Sequence, residues 1–95
     1  MANHGDYVIA YDISSDEERR RVSKVPEGFG VRSQASVFEC RLTAASKKAL
    51  LGRLDALAID TGYIDIYRVQ NLRRRSTFGV APRRMCDESQ YAVVI

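Results

Sequence analysis

The stretch YVIAYDI at residues 7–13 constrains the fold of this chain more than any other part of the sequence. It is almost continuously apolar and rich in Tyr, Val and Ile, which predicts a strand that is covered on both faces. Such a strand belongs in the centre of a sheet. Near its end stands Asp12, and a carboxylate in such a place loses hydration and needs a partner, a cation or a proton.

Length and composition fit a single domain. The chain has 95 residues, of which 45% are hydrophobic and 28% charged, so we expect one domain over residues 1–95 with a core at about 7–70 and a C-terminal extension at about 71–95. Cys40 and Cys86 form no CxxC pair, and the N-terminus lacks the features of a signal peptide. No apolar stretch is long enough for a membrane helix. These observations predict a reduced, cytoplasmic protein.

Two helices are predicted from capping residues and apolar spacing. Ser15 can cap the first helix, with Glu18 completing a capping box, and Pro26 should end or kink this helix. Thr43 is predicted to cap the second helix, whose stop is expected at Gly62. The apolar stripe of the second helix consists of Leu50, Leu54, Leu57 and Ala58.

The remaining segments predict strands. Residues 31–42 suit a long or broken strand with a tight turn near 34–36, and residues 63–69 alternate strictly. Shorter strands are expected at 76–80 and 91–95. The order predicts an α+β, ferredoxin-like β-α-β-β-α-β sandwich with C-terminal extra strands and both helices on one face of the sheet. Because no third helix is available for the other face of the first strand, we expect a second subunit to cover it in a homodimer.

At this point the sequence resembles a known family. Three segments resemble the Cas-two family, the smaller of the two core CRISPR adaptation proteins: YVIAYDIS, RRRVSKVPEGFGVRSQASVFECRLT and the terminal YAVVI. The resemblance implies a ferredoxin-like fold, a symmetric homodimer, and metal-dependent cleavage of RNA or DNA by some members. It also implies a structural role, in which the protein bridges two dimers of the Cas-one integrase during capture of foreign DNA as spacers.

The resemblance also points to individual residues. The family's aspartate at the end of the first strand falls on Asp12, and the residue before it on Tyr11. The other positions of this expected catalytic set are Arg19, Arg21, Arg32 and Phe38.

Cleavage of a phosphodiester needs an activated water and a group that neutralises the developing charge. The only histidine is His4, in an expected N-terminal tail, which argues against a histidine base. A metal remains, and we expect one Mg²⁺ or Mn²⁺ ion shared between Asp12 and its symmetry mate in the dimer. The alternative is that Asp12 only caps the turn into the first helix.

The arginines suggest contacts with nucleic acid. In the first helix, Arg19 and Arg20 are candidate phosphate ligands, although the helix arginines can equally pair with the acidic residues beside them. The better candidates are the arginines that lie in a loop without nearby acids in the sequence, Arg73, Arg74 and Arg75, followed by Arg83 and Arg84. Such contacts follow a backbone without reading its sequence, so duplex DNA is the expected partner, with single-stranded RNA as a further one.

Three classes of function remain open. The chain is either a metal-dependent endonuclease, a purely structural DNA-binding adaptor for the integrase, or a small-molecule regulatory domain of similar fold. The first two can coexist in one protein. The third lacks a ligand motif in this sequence.

Overall fold

The computed structural model describes residues 3–80, which form one antiparallel sheet with two helices. Along the chain the elements are β1 (Gly5–Ile13), α1 (Asp16–Lys24), a short 3₁₀ turn (Pro26–Gly28), β2 (Gly30–Gln34), β3 (Val37–Leu42), α2 (Ala44–Asp55) and β4 (Gly62–Val69). The strand order is β2-β3-β1-β4, so β1 is paired on both edges. This confirms the ferredoxin-like fold and the central place of β1.

The two faces of β1 differ sharply. On one face, which we call the helix face, the side chains of Tyr7, Ile9, Tyr11 and Ile13 pack in the core with residues of both helices and of β3. On the other, the open face, Val8 and the following even-numbered residues point away from the helices, because side chains alternate along a strand. The strand was predicted to be covered on both faces, but only its helix face is fully buried.

A segment after β4 covers part of the open face. The backbone N–H of Leu72 donates to the Asp6 carboxylate over 2.8 Å, and the side chain of Leu72 is buried. We call residues 70–75 the return segment. Because the return segment supplies part of the cover from within the chain, the apolar strand does not by itself require a second subunit. The expected homodimer stays a prediction.

Helix α1 starts as predicted, but its capping differs. The Ser15 hydroxyl accepts from the backbone N–H of Glu18, and Pro26 follows the end of the helix. The Glu18 carboxylate does not return to Ser15. It accepts instead from the backbone N–H groups of Asp60 and Thr61 over 3.0 Å each, and from the Thr61 hydroxyl. The predicted capping box is thus half right, because Glu18 ties α1 to the loop before β4.

The end of α2 was wrongly predicted. The helix ends at Asp55, and Ala58 adopts a positive φ of 51° beyond it, so Leu57 and Ala58 lie outside the helix. Gly62 is the first residue of β4, where an added Cβ would collide with the backbone of Asp12 and Ile13. Glycine is needed there for close strand approach rather than for stopping the helix.

Of the two C-terminal strands predicted from the sequence, one is not formed and the other lies outside the described residues. Residues 76–80 form neither helix nor strand in this chain, and Phe78 and Val80 are almost fully exposed, so no sheet edge in the described residues pairs with this segment. The strand predicted at 91–95 lies outside the described residues, as do Cys86, Arg83 and Arg84. Cys40 is buried, and burial raises the pKa of its thiol to about 12. No helix within residues 3–80 is long and apolar enough to cross a membrane.

The tie made by Glu18 gives a pH prediction. The hydrogen bond from the Thr61 hydroxyl, followed by that from the backbone of Asp60, lowers the pKa of Glu18 below the ordinary value of a glutamate. A carboxyl group whose pKa is lower in the folded state stabilises the fold above its unfolded pKa, and this contribution is lost as the pH falls through the folded pKa. We expect the melting temperature of wild type to decrease as the pH falls below about 4.5, and this decrease to be shallower in Glu18→Gln. The variant should also melt lower at pH 7, because the amide NH2 cannot accept a hydrogen bond as the second carboxylate oxygen does. Parallel acid-dependent slopes in the two proteins, measured by circular dichroism, would contradict this role.

Candidate functional site

Asp12 lies near the end of β1 on the open face, and its side chain is exposed. Within residues 3–80 its carboxylate makes no hydrogen bond and no ion pair. The cap of α1 is Ser15, three residues later, so the alternative reading of Asp12 as a helix cap is wrong. An exposed carboxylate without a protein partner at a strand end is available for an external cation or ligand.

Two aromatic side chains and a second carboxylate share the open face with Asp12 on the neighbouring strand. Asp12 is paired with Tyr63 across the ladder, and Ala10 with Asp65, so Asp65 is a diagonal neighbour of Asp12. Tyr63 and Tyr67 are more than half exposed, and the Tyr67 hydroxyl donates to Asp65 over 3.2 Å. Sequence reasoning missed Asp65. The strict alternation of residues 63–69 was the signal that could have placed it beside Asp12.

Three of the six residues in the expected catalytic set lie on the helix face instead. The rings of Tyr11 and Phe38 are nearly parallel, with centroids 6.5 Å apart, and the Arg32 guanidinium lies 5.1 Å from the Phe38 centroid. The Tyr11 hydroxyl donates to the carbonyl of Ala35 over 3.3 Å, and burial raises the pKa of Tyr11. This group joins β1, β2 and β3, and the sheet backbone separates it from Asp12.

The arginines of α1 have different environments. Arg19 donates to the backbone carbonyls of Ile13 and Ser14 and forms an ion pair with Asp16, one turn earlier. It therefore fastens α1 to the end of β1, directly after Asp12. Arg20 and Arg21 are exposed. Two of the three helix arginines are thus open to solvent, and the third has a structural partner.

The loop arginines do not form one patch. Arg75 donates to both oxygens of Glu39, over 2.5 and 3.0 Å, and the Glu39 side chain is only 5% exposed. The prediction that this loop lies without nearby acids is wrong for Arg75, because the return segment brings it back to β3. Arg74 is exposed beside the open face, whereas Arg73 lines a separate cleft where β1 begins.

The described residues contain one carboxylate at the expected metal position rather than a complete set of ligands. Within residues 3–80 no three His, Cys, Asp or Glu side chains group together in a way that would hold a metal ion. Mg²⁺, however, often uses only one or two carboxylates and keeps several waters. The exposed oxygens of Asp12 are ligands of the kind that such an ion prefers. Within residues 3–80, Asp65 is a second carboxylate on the same face, and another copy of the chain would supply a second Asp12.

Comparisons with known proteins agree with the fold and the sequence motifs. Residues 6–77 match the family described as CRISPR associated protein Cas2. A CRISPR-associated endoribonuclease Cas2 from Mycobacterium tuberculosis is 36% identical over 72 residues, which cover 76% of this chain and 64% of that protein. A second one, from Thermus thermophilus, is 52% identical over 50 residues, or 53% of each chain. The matched part of this chain therefore spans less than two thirds of either relative.

Solved structures show the same fold. The hypothetical protein TT1823 from Thermus thermophilus superposes with a TM-score of 0.76 at 31% identity, covering 86% of this chain and 99% of that one. Cas2 from Streptococcus pyogenes superposes with a TM-score of 0.67 at 32% identity, covering 78% and 99%.

The pairing of Arg75 with Glu39 leads to a stability prediction. Arg75→Gln leaves a buried carboxylate without its guanidinium, so we expect the free energy of unfolding to fall by about 2 kcal/mol, as measured by urea denaturation. Arg74→Gln, the neighbouring exposed position, should change it by less than about 0.5 kcal/mol. Equal effects of the two substitutions would mean that the ion pair adds nothing to stability.

Proposed function

Because this chain belongs to the CRISPR-associated protein Cas2 family, we propose that it is a CRISPR adaptation protein that binds duplex nucleic acid and supports the integration of new spacers with dimers of the integrase. We propose in addition a metal-dependent endonuclease activity on RNA or DNA. The observation that carries the catalytic part is the exposed Asp12 carboxylate without a partner in residues 3–80. The relatives that are named endoribonucleases support it.

The proposed catalytic centre is built around Asp12 of two copies of the chain. In this proposal the two carboxylates hold one Mg²⁺ or Mn²⁺ ion near the two-fold axis of a homodimer. When bound, the ion would neutralise charge on a phosphate and lower the pKa of a bound water. Asp12 itself is positioned by the ladder between β1 and β4, in which Gly62 permits close approach of the strands. Arg19 fixes the backbone immediately after it.

The proposed path of the nucleic acid uses arginines that are open to solvent. Arg20 and Arg21 project from α1, and Arg74 lies beside the open face. Arg83 and Arg84 stay in the proposal on the strength of the sequence alone, since they lie outside the described residues. Guanidinium groups bind phosphate oxygens through several N–H donors without reading bases. We therefore propose binding that follows the backbone and is independent of sequence.

A purely structural adaptor is the second candidate function. One observation favours it: each chain offers a single aspartate at the expected position, and no three-residue ligand group exists within the described part. In that case the protein would hold duplex DNA for the integrase without cutting it. Substitution of Asp12 separates the two candidates, because only the catalytic one requires its charge.

We expect Mg²⁺ or Mn²⁺ to raise the melting temperature of wild type and not that of Asp12→Asn, which keeps the shape of the side chain and removes its charge. The metal relieves repulsion between the two carboxylates and stabilises the folded dimer by mass action. Cleavage of RNA or DNA should disappear in the same variant, whereas sedimentation should still show a dimer. Integration with the cognate integrase should survive if the structural role dominates. Metal-dependent cleavage by purified Asp12→Asn would rule out the assignment.

Asp65→Asn is the matched control for this experiment. It removes the same charge from the same face of the sheet, and it should leave the metal response intact if the second carboxylate comes from the other subunit. If Asp65→Asn abolishes the response while Asp12→Asn also does, the ion is held within one chain.

Arg74 is exposed and Arg75 is paired with Glu39, so we expect their substitutions to affect duplex binding differently. Arg74→Gln should weaken binding to every duplex sequence alike and lower the slope of log K against log salt by about one unit, because one phosphate contact is lost. Arg75→Gln should leave the slope nearly unchanged, since Arg75 is engaged with Glu39. Fluorescence anisotropy at several salt concentrations measures both. A larger slope change for Arg75→Gln than for Arg74→Gln would refute this division.

A further inference from the structure

A polar cleft lies at the end of the sheet where β1 begins and β4 ends. Its volume is about 360 Å³. Its charged side chains are three arginines and one carboxylate, Arg41, Arg68, Arg73 and Asp6, and two amides and the sole histidine of the chain complete its polar lining. Asp6 precedes Asp12 by six positions along β1, or about 20 Å at 3.3 Å per residue.

The cleft carries an excess of positive charge. Three guanidinium groups face one carboxylate, because Asp6 is the only acidic residue of the lining. Asp6 is already engaged: it accepts from Arg41 over 2.8 and 3.4 Å and from the backbone of Leu72 over 2.8 Å. The Asp6 charge acts mainly on Arg41, to which Asp6 is hydrogen-bonded, and also on Arg68. One negative charge thus faces three positive ones, and a net excess of two positive charges remains in the cleft.

The first of these two, Arg68, is held by packing. Its guanidinium lies 5.4 Å from the centre of the Tyr7 ring. A Cβ at Gly5 would lie 3.0 Å from Cζ and Nε of Arg68, so the glycine leaves room for the guanidinium against the backbone of β1. Within residues 3–80 the Arg68 side chain forms no hydrogen bond or ion pair, and its N–H donors are available in the cleft.

The second, Arg73, is placed by the turn that opens the return segment. The side-chain oxygen of Asn71 accepts from the backbone N–H of Arg73 over 2.8 Å, and the Asn71 carbonyl accepts from the N–H of Arg74 over 3.0 Å. This turn sends Arg73 and Arg74 to different surfaces. The Arg73 side chain has no hydrogen-bond or ion-pair partner in the described residues.

We propose that this cleft binds a phosphoryl group through the guanidinium groups of Arg68 and Arg73. Two arginines with free N–H donors, next to a third that is paired with a buried carboxylate, form a site suited to the oxygens of a compact phosphate anion. The site deepens the nucleic-acid-binding part of the proposed function and rests on it only where the phosphate belongs to a duplex. It adds Arg68 and the cleft to the expected phosphate ligand Arg73, and it uses neither Asp12 nor a metal. The same chemistry recognises free phosphate, a phosphate at the end of a strand and a phosphate within a nucleic-acid backbone.

The first test uses inorganic phosphate and the full chain. We expect phosphate to raise the melting temperature of wild type above that in sodium chloride of equal ionic strength. The increase should be lost in Arg68→Gln and in Arg73→Gln, and kept in Arg53→Gln. Arg53 is a matched control because it is an exposed arginine of α2 that stacks on Phe29, away from the cleft.

The second test separates the sources of the phosphoryl group. Duplex binding is measured by anisotropy for the same variants, with and without 5′-phosphates on the duplex. If a terminal phosphate is the ligand, Arg68→Gln should weaken only binding of the phosphorylated duplex, by about tenfold. If a backbone phosphate is the ligand, Arg68→Gln should bind the duplexes with and without 5′-phosphates more weakly than wild type, and to the same extent. This expectation holds whether or not wild type responds to free phosphate.

The proposal is overturned if wild type shows no response to phosphate and Arg68→Gln binds both duplexes as tightly as Arg53→Gln does. The proposed function can fail independently of it. If the protein responds to phosphate through Arg68 but binds no duplex, the phosphate site in the cleft is supported and the proposed duplex binding is rejected. If the protein binds duplex through Arg74 and not through Arg68, and shows no response to phosphate, duplex binding is supported and the phosphate site in the cleft is rejected.

Discussion

The pairing of β1 on both of its edges is the constraint from which the rest of the structure follows. Its ladders with β3 and β4 fix the direction of every side chain along the strand. Tyr11 is consequently turned into the core, whereas Asp12 is turned out of it, although the two are neighbours in sequence. A shift of either ladder by one residue would exchange the two faces and place a carboxylate in the core.

Buried carboxylates connect the early and late parts of the chain. The described residues bury three acidic side chains, Asp6, Glu18 and Glu39, and each of them binds a segment that follows α2. Asp6 accepts from the backbone of Leu72, Glu18 holds the loop at Thr61, and Glu39 is paired with Arg75. Because a buried carboxylate without a partner is costly, these contacts favour one path for the end of the chain.

This path also decides where charge is available to a ligand. Arg41 and Arg75 balance buried carboxylates, so they are part of the fold. Arg68, Arg73 and Arg74 are left for solvent or a ligand at the strand end and beside the open face. The net charge of the chain is only +3. The chain can still present separate basic sites, because the acidic residues Asp6 and Glu39 are paired with particular arginines and leave the other three without an ion pair within residues 3–80.

The sequence by itself determined the order of elements, both helix caps and the central strand, because apolar spacing and capping residues are local signals. Ser15 and Thr43 cap the helices as predicted. It also singled out Asp12, since a charge after an apolar run is visible without a structure. Only the tertiary structure decided the partners of Glu18 and Arg75, which lie 43 and 36 residues away in the chain. The close packing of Gly62 and the cleft around Arg68 likewise depend on distant strands that meet, and no local pattern in the sequence records such meetings.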